Sequence, residues 1–182
     1  MKQTLQLISA PTITQPSVYV RNAYMDVVHP ATTSLEIEIM RSSGSWEIHA
    51  RWACPNPSNV VKGYTDRFAD AMAILVPTKE DAAWITMGSE DAPVDGVLWR
   101  ADWEQPKRIH SKGLGTSQRA DVPAGWRVKS QYAGGHYTLQ WLFPKWENLE
   151  RFQRCAFAIW QGSEQQRAGL KSVSAGWVNA NA

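Results

Sequence analysis

The feature that most constrains the fold is a period-two alternation of apolar and polar side chains in short segments. Residues 35–40 read Leu-Glu-Ile-Glu-Ile-Met, and residues 46–52 read Trp-Glu-Ile-His-Ala-Arg-Trp. Successive side chains of a strand point to opposite faces, so this pattern predicts two strands, each with one buried face. Only residues 42–45, which include Gly44, separate them, and this short connection predicts a hairpin.

Further strand-like segments follow along the chain, separated by loops rich in Gly, Pro, Asn and Ser. They lie at 68–76, 83–87, 97–103, 126–132, 136–143, 155–160 and 176–179, with one short helix expected at 145–154. Residues 1–15 are expected to be irregular, and the polar stretch 104–125 is expected to be a surface excursion. Many short strands with turns between them predict an all-β fold, an antiparallel β-sandwich with a few short helices and long loops. The length predicts a single domain, residues 1–182.

Composition excludes several classes of function. Nineteen basic and seventeen acidic residues give a net charge of +2, without any block of like charge, so nucleic acid or an anionic membrane is not expected as a partner. No run approaches the ~20 apolar residues that span a bilayer. The N-terminal apolar patch is too short for a secretory signal. The chain is therefore expected to be either a mature form without its leader or a cytoplasmic protein.

The two cysteines, Cys54 and Cys155, limit the metal chemistry of the chain. An iron–sulfur cluster or a Cys₄ zinc site needs about four thiolates. The absence of a Cys-x-x-Cys-His motif excludes covalent attachment of a c-type haem. One disulfide and two buried free thiols both remain open.

Two side chains lie in notable sequence surroundings. Lys171 lies among Leu170, Ser172 and Val173, and Met87 ends an apolar run directly before a glycine. Each has an ordinary interpretation, because most lysines lie at the surface and most methionines fill gaps in a core. Taken singly, these ordinary interpretations are preferred.

Taken together, three stretches are similar to one family. They are Phe-Ala-Asp-Ala-Met-Ala-Ile-Leu-Val-Pro at 68–77, Met-Gly at 87–88 followed by Pro-Val and Trp-Arg-Ala-Asp-Trp, and Trp-Gln-Gly-Ser…Leu-Lys-Ser-Val-Ser…Trp at 160–177. The chain resembles, over residues 15–180, the haem b (gamma) subunits of type II enzymes of the dimethyl sulfoxide reductase family. These subunits serve ethylbenzene dehydrogenase, dimethyl sulfide dehydrogenase, selenate reductase and chlorate reductase.

The resemblance implies one non-covalent haem b whose iron is held by Met87 and Lys171. A thioether ligand raises the reduction potential of haem iron. A lysine amine can bind iron only when it is deprotonated, which burial favours. Arg100 is the candidate partner of the haem propionates, with Lys107 and Arg108 as further candidates, because cations offset buried carboxylates.

The resemblance also implies a role in electron transfer rather than catalysis. The expected partners are an iron–sulfur beta subunit, a molybdenum-containing alpha subunit and a soluble carrier such as a c-type cytochrome. The resemblance favours the periplasm as the location. The substrate of the parent enzyme and the direction of electron flow stay open.

Three other interpretations follow from the residues. One of the four histidines, His29, His49, His110 and His136, could ligate haem, although no two have the spacing of a helical bis-histidine site. The ten tryptophans also suit a carbohydrate-binding module without haem, whose exposed rings would stack on sugars. A structural subunit that has lost its cofactor is the third.

Overall fold

The computed structural model describes residues 2–12, 15, 17–23, 25–26, 29–59 and 67–181. Within these residues the strands are β1 (Lys2–Ser9), β2 (Ser34–Ser42), β3 (Ser45–Ala53), β4 (Ala71–Pro77), β5 (Val94–Arg100), β6 (Lys107–Ser111), β7 (Gln118–Asp121), β8 (Arg127–Ala133), β9 (His136–Phe143), β10 (Arg154–Trp160), β11 (Ser172–Ser174) and β12 (Val178–Asn179). The helices are α1 (Val18–Ala23) and α2 (Glu147–Phe152), and a 3-10 turn covers Gly162–Glu164.

The strands form one hydrogen-bonded path in the order β7-β6-β5-β4-β10-β11-β1-β2-β3-β9-β8, and β12 pairs with β10. Strand β1 joins the two halves of the path. Its first residues pair antiparallel with β2, and Leu7–Ser9 pair antiparallel with β11. The sheet curls into a half-barrel, and the prediction of an antiparallel all-β fold is confirmed.

The main core lies between the two halves of the curled sheet and is rich in aromatic rings. Trp52 stacks on Tyr137 with ring centroids 5.3 Å apart, and Trp99 meets both rings edge-on. The predicted alternation of β3 is observed, since Trp46, Ile48, Ala50 and Trp52 are buried. Burial of such large apolar surfaces is the main stabilising contribution.

Strands β4, β5 and β10 are buried on both faces. Met72, Ile74 and Val97 point into the main core, whereas Ala73 and Leu98, which pair across the two strands, belong to a second apolar cluster on the opposite face. That second cluster is covered by loop residues that include Trp84, Ile85, Trp103 and Trp160. The outer face of these strands is therefore a second, loop-covered layer, and the candidate site lies there.

The structure corrects three local predictions. Residues 2–9, expected to be irregular, form a strand because both of its edges find partners. Residues 83–87, predicted as a strand, form a turn instead. The polar stretch 104–125 contains β6 and β7, and β7 is exposed along its whole length.

Other local predictions are confirmed or refined. Helix α2 lies within the predicted segment 145–154, and the hairpin of β2 and β3 is observed. Strand β11 was not predicted, because three residues are too few to show a period.

The two cysteines are buried free thiols in the main core, Cys54 and Cys155. Desolvation by burial raises the pKa of each thiol to about 12. Among the described residues, no helix is long and apolar enough to cross a membrane.

Candidate functional site

Met87 lies at the tip of a tight turn between β4 and β5. Its φ of 57° and the φ of 81° at Gly88 place two consecutive residues in the left-handed region. A side chain at Gly88 would come within 2.8 Å of the carbonyl oxygen of Ala92, so only glycine fits there. The Met87 amide donates to Trp84 O (3.1 Å), and its carbonyl accepts from the Gly113 amide (3.0 Å). Such a conformation is costly for a non-glycine residue and is typical of functional sites.

Lys171 immediately precedes β11, which lies between β10 and β1. Val173 pairs with Ala158 on one side and with Ile8 on the other. The carbonyl of Lys171 accepts a hydrogen bond of 2.9 Å from the amide of Ala10. Neighbouring strands therefore fix the backbone from which the lysine side chain extends.

The structure brings the two predicted ligands into contact. Lys171 Nζ lies 3.8 Å from Met87 Sδ, although 84 positions separate the residues in the sequence. The amine also lies 5.1 Å from the ring centroid of Trp160. The lysine side chain is thus enclosed by a thioether and an aromatic ring.

Burial changes the acid–base chemistry of this amine. Lys171 is only 9% exposed, and desolvation by burial lowers its pKa from 10.5 to about 8. Removing an ammonium group from water disfavours its charged form, and this lowers the pKa. The neutral amine, which carries a lone pair for a metal, is therefore far more accessible near neutral pH than in an ordinary lysine.

Met87 and Lys171 both line an open cavity of about 290 Å³. Its other lining residues are Gln15, Leu98, Ile109, Leu114, Gly115, Ser117, Arg119, Trp160, Ala168 and Gly169. Apart from Lys171, Arg119 is the one charged side chain among these lining residues. The cavity therefore has a mainly apolar wall, with the sulfur and the nitrogen meeting at one place in it.

Arg100, the third predicted site residue, lines an adjoining cavity of about 150 Å³. This cavity shares Leu98, Arg119, Trp160 and Ala168 with the first one. The guanidinium of Arg100 donates two hydrogen bonds to Asp102, of 2.9 and 2.8 Å. The structure therefore places Arg100 near Met87 and Lys171, but with a carboxylate partner of its own.

The other sequence candidates lie elsewhere. Arg108 forms a double hydrogen bond with the buried Asp95, at 2.9 Å for each contact, and Lys107 pairs with Asp121. None of the four histidines lines either cavity: two are exposed, His29 and His110, and two are half-buried on the β3–β9 half of the sheet, His49 and His136. Among the described residues, no group of three or more His, Cys, Asp or Glu side chains could hold a metal ion.

Sequence reasoning missed three residues of the cavity wall, Arg119, Trp160 and Arg167. Arg119 pairs with Ile109 across β6 and β7, a register that no local pattern indicates. Arg167 lies in the loop after β10, and its guanidinium lies 4.5 Å from the ring centroid of Phe68. The motif Trp-Gln-Gly-Ser contained Trp160, but only the contact with Lys171 shows what this ring does.

The tryptophans do not form an exposed aromatic platform. All ten lie in described residues; six are buried and four are half-buried. Sugar-stacking modules need exposed rings. Because none of the ten tryptophans is exposed, the carbohydrate-binding interpretation lacks the exposed rings on which it depends.

The fold and the site define a class of protein: an antiparallel β domain that presents a thioether and a readily deprotonated amine to an open, largely apolar cavity. Comparison with known proteins finds relatives of about 30% identity over most of the chain. The gamma subunit of dimethylsulfide dehydrogenase of Rhodovulum sulfidophilum is 29% identical, over 97% of this chain and 69% of that protein. The gamma subunit of chlorate reductase of Ideonella dechloratans is 30% identical, over 81% of this chain and 64% of that protein.

A third relative comes from Haloferax mediterranei and is named as a putative respiratory nitrate reductase haem subunit. It is 29% identical, over 91% of this chain and 62% of that protein. No family model matches the chain. The chain spans about two thirds of the length of these relatives. The chain is similar over most of its length to relatives named as gamma or haem subunits of oxidoreductases, which confirms the resemblance of its motifs.

Proposed function

We propose that this chain is a b-type cytochrome, an electron-transfer subunit that binds one non-covalent haem b through Met87 and Lys171. The observation that carries the proposal is the 3.8 Å contact between Met87 Sδ and Lys171 Nζ at the wall of an open cavity. Relatives named as gamma and haem subunits support the same function. Haem supplies a one-electron redox couple when it is bound.

Met87 Sδ and Lys171 Nζ lie close enough together that both could hold one haem iron. Bonds to zinc of about 2.3 Å from sulfur and about 2.0 Å from nitrogen give the scale for first-row metals. The donor atoms of two such ligands of one metal would lie up to about 4.3 Å apart, so the 3.8 Å contact would need to open by at most roughly 0.5 Å. Long, unbranched side chains such as methionine and lysine accommodate a change of this size by small rotations.

The protein environment tunes each donor. The left-handed turn at Met87 places a soft thioether at the cavity wall. A thioether ligand favours reduced iron and raises the reduction potential. Burial of Lys171 supplies the neutral amine that metal binding requires. These side chains hold and tune a redox centre, and the proposed function includes no chemical step on a substrate.

The proposal extends to partners, since relatives named as gamma subunits belong to enzymes with further subunits. The chain would act as a gamma subunit, beside an iron–sulfur beta subunit and a molybdenum-containing alpha subunit, and would exchange electrons with a soluble carrier such as a c-type cytochrome. Location in the periplasm is part of the same proposal. The chain would join the parent enzyme as a non-catalytic subunit.

The decisive experiment is reconstitution of the purified chain with haem, followed by absorption spectra of the oxidised and reduced forms. We expect a low-spin, six-coordinate haem in the wild-type protein. Met87→Ala and Lys171→Ala should each convert it to a five-coordinate or weakly bound form and shift the reduction potential. Met40→Ala in β2 and Lys129→Ala in β8 are matched controls that should keep the wild-type spectrum.

Two results would contradict the proposal. A chain that stays colourless after reconstitution would exclude the cytochrome function and favour a structural subunit. Unchanged spectra and potentials in both ligand variants would show that other side chains hold the iron.

A further inference from the structure

The side chain of Gln15 ends in a buried carboxamide with which no described residue forms a hydrogen bond. Gln15 follows β1 and is only 8% exposed. Its backbone is held in place, since its N–H donates to Thr12 O (3.0 Å) and its carbonyl accepts from Arg21 Nη1 (3.0 Å). An unpaired polar group that is buried costs free energy, so a buried carboxamide without a partner in the protein indicates a partner in a ligand.

The carboxamide of Gln15 occupies space that only a glycine at position 169 leaves free. A Cβ atom on Gly169 would overlap with Oε1, Cδ and Nε2 of Gln15. The carboxamide therefore rests directly on the backbone at Gly169, two residues before Lys171. Nearby, the Ala10 amide donates to the carbonyl of Lys171 (2.9 Å), which ties the segment after β1 to the segment before β11. Both sides of the contact are thus anchored by the fold.

Gln15 lines the same cavity as Met87 and Lys171. Much of the wall around it is apolar, with Leu98, Ile109 and Leu114 among its residues. The charged side chains among the described lining residues, Lys171 and Arg119, are both basic, which favours a ligand with an anionic group. A carboxamide carries two N–H donors and one carbonyl acceptor. In such a wall, a few polar groups of this kind fix the orientation of a ligand.

We infer that Gln15 is a further ligand-binding residue of this cavity, and that its carboxamide donates a hydrogen bond to a propionate carboxylate of the haem. This inference rests on the proposed function. The four nitrogens of a porphyrin bind its iron, so the two propionates are the groups of haem b that accept strong hydrogen bonds. A bond from an N–H group to a carboxylate is charge-assisted and belongs to the stronger kind. Gln15 thereby orients the haem, whereas Met87 and Lys171 hold its iron.

The test combines changes at Gln15 with a change in the cofactor. Gln15→Met keeps an unbranched side chain of similar length and removes the carboxamide, whereas Gln15→Glu keeps the shape and the acceptor oxygen but replaces the N–H donors by a negative charge. The full chain and both variants are loaded with haem b or with its dimethyl ester, in which both propionates are neutral. The rate of haem loss to an excess of a haem-scavenging protein is then measured. Gln131→Met and Gln131→Glu are the matched controls, because this exposed glutamine in β8 does not line the cavity.

With haem b, Gln15→Met should lose the cofactor about tenfold faster than wild type, because one hydrogen bond to a charged group is lost. Gln15→Glu should lose it faster still, because its carboxylate repels the propionate. With the dimethyl ester, the wild-type protein and both variants should lose the cofactor at rates within about twofold of one another, since a neutral ester accepts only a weaker bond. Both variants should keep the wild-type absorption spectrum, and the controls should behave as wild type with both cofactors.

Three results would overturn the inference. Retention of haem b by Gln15→Glu at the wild-type rate would show that the side chain acts as an acceptor and not as a donor to a propionate. Equal acceleration with haem b and with its ester would show that it acts through folding or packing, and an unchanged rate in Gln15→Met would show that it does not hold the haem. In each case a wild-type protein that binds haem through Met87 and Lys171 keeps the proposed function intact. A wild-type protein that binds no haem removes the proposed function and this inference together.

Discussion

Burying Lys171 should destabilise the haem-free protein, and replacing it by methionine tests this directly. The substitution Lys171→Met keeps an unbranched side chain of similar length and removes the ammonium group. In the folded state the pKa of Lys171 is about 8, against 10.5 for the ordinary lysine expected in the unfolded chain. Between these values the unfolded chain binds more protons than the folded protein, so stability rises with pH in that window and the full penalty applies below it.

The size of the effect follows from the two pKa values. Their difference of about 2.5 corresponds to about 3 kcal/mol of destabilisation at pH 7, since one pKa unit is about 1.4 kcal/mol. At pH 10 the folded amine is neutral while roughly three quarters of the unfolded lysine is still protonated, so about 1 kcal/mol of destabilisation remains. The wild-type protein should therefore gain about 2 kcal/mol relative to Lys171→Met between pH 7 and pH 10.

The assay is denaturant unfolding of the haem-free proteins at both pH values, followed by tryptophan fluorescence. Other groups that titrate in this range are common to both proteins, so they cancel in the difference between them. Lys129→Met is the control, since this lysine in β8 is exposed. It should change the free energy of unfolding by the same amount at pH 7 and at pH 10.

A difference between wild type and Lys171→Met that stays constant with pH would refute the reasoning. It would mean that the amine is solvated in the haem-free protein. A variant that is less stable than wild type at pH 7 would likewise show that the buried ammonium stabilises the fold. The expected result instead describes a lysine whose burial lowers stability and serves ligand binding, a known exchange of stability for function.

Three further predictions follow. As the pH is increased toward 8, the affinity for haem should rise about tenfold per pH unit, and above pH 8 it should level off, because the amine of Lys171 must lose its proton to bind. Titrations with haem at several pH values measure this. Gly88→Ala should destabilise the protein by roughly 1–3 kcal/mol in denaturant unfolding, whereas Gly44→Ala, with a similar φ but open space around it, should cost less. Asp95→Ala should lower the free energy of unfolding by about 3 kcal/mol, because it removes the carboxylate that accepts hydrogen bonds from Arg108 and Trp146. Equal unfolding midpoints of the variant and the wild-type protein would contradict this.

The β2–β3 hairpin and strand β9 could be read directly from the sequence. Their inward-facing residues alternate with polar residues over six or more positions, and one buried face imposes that pattern. Strand β4 was also predicted, although its residues are buried on both faces and show no alternation. Its boundary at Pro77 and its short length were enough to indicate a strand.

The turn at Met87 shows where local patterns mislead. Residues 83–87 are apolar enough to suggest a strand, yet Met87 and Gly88 take left-handed backbone conformations. The carbonyls of Ala83 and Trp84 accept hydrogen bonds from the turn's own amides, and the Gly113 amide donates to the carbonyl of Met87; these bonds stabilise the turn. Contacts across the fold therefore overrode the local preference, as is common for short segments.

The sequence by itself determined the all-β class and most of the strands, and its motifs predicted Met87 and Lys171 as a pair, because these are properties of consecutive residues or of short ordered stretches. Only the tertiary structure decided that Met87 Sδ and Lys171 Nζ meet at 3.8 Å and that both side chains line one open cavity. The physical reason is that these placements depend on strand register and on burial. Insertion of β11 between β10 and β1 positions the lysine, and removal of its amine from water gives it the chemistry that the proposed site needs.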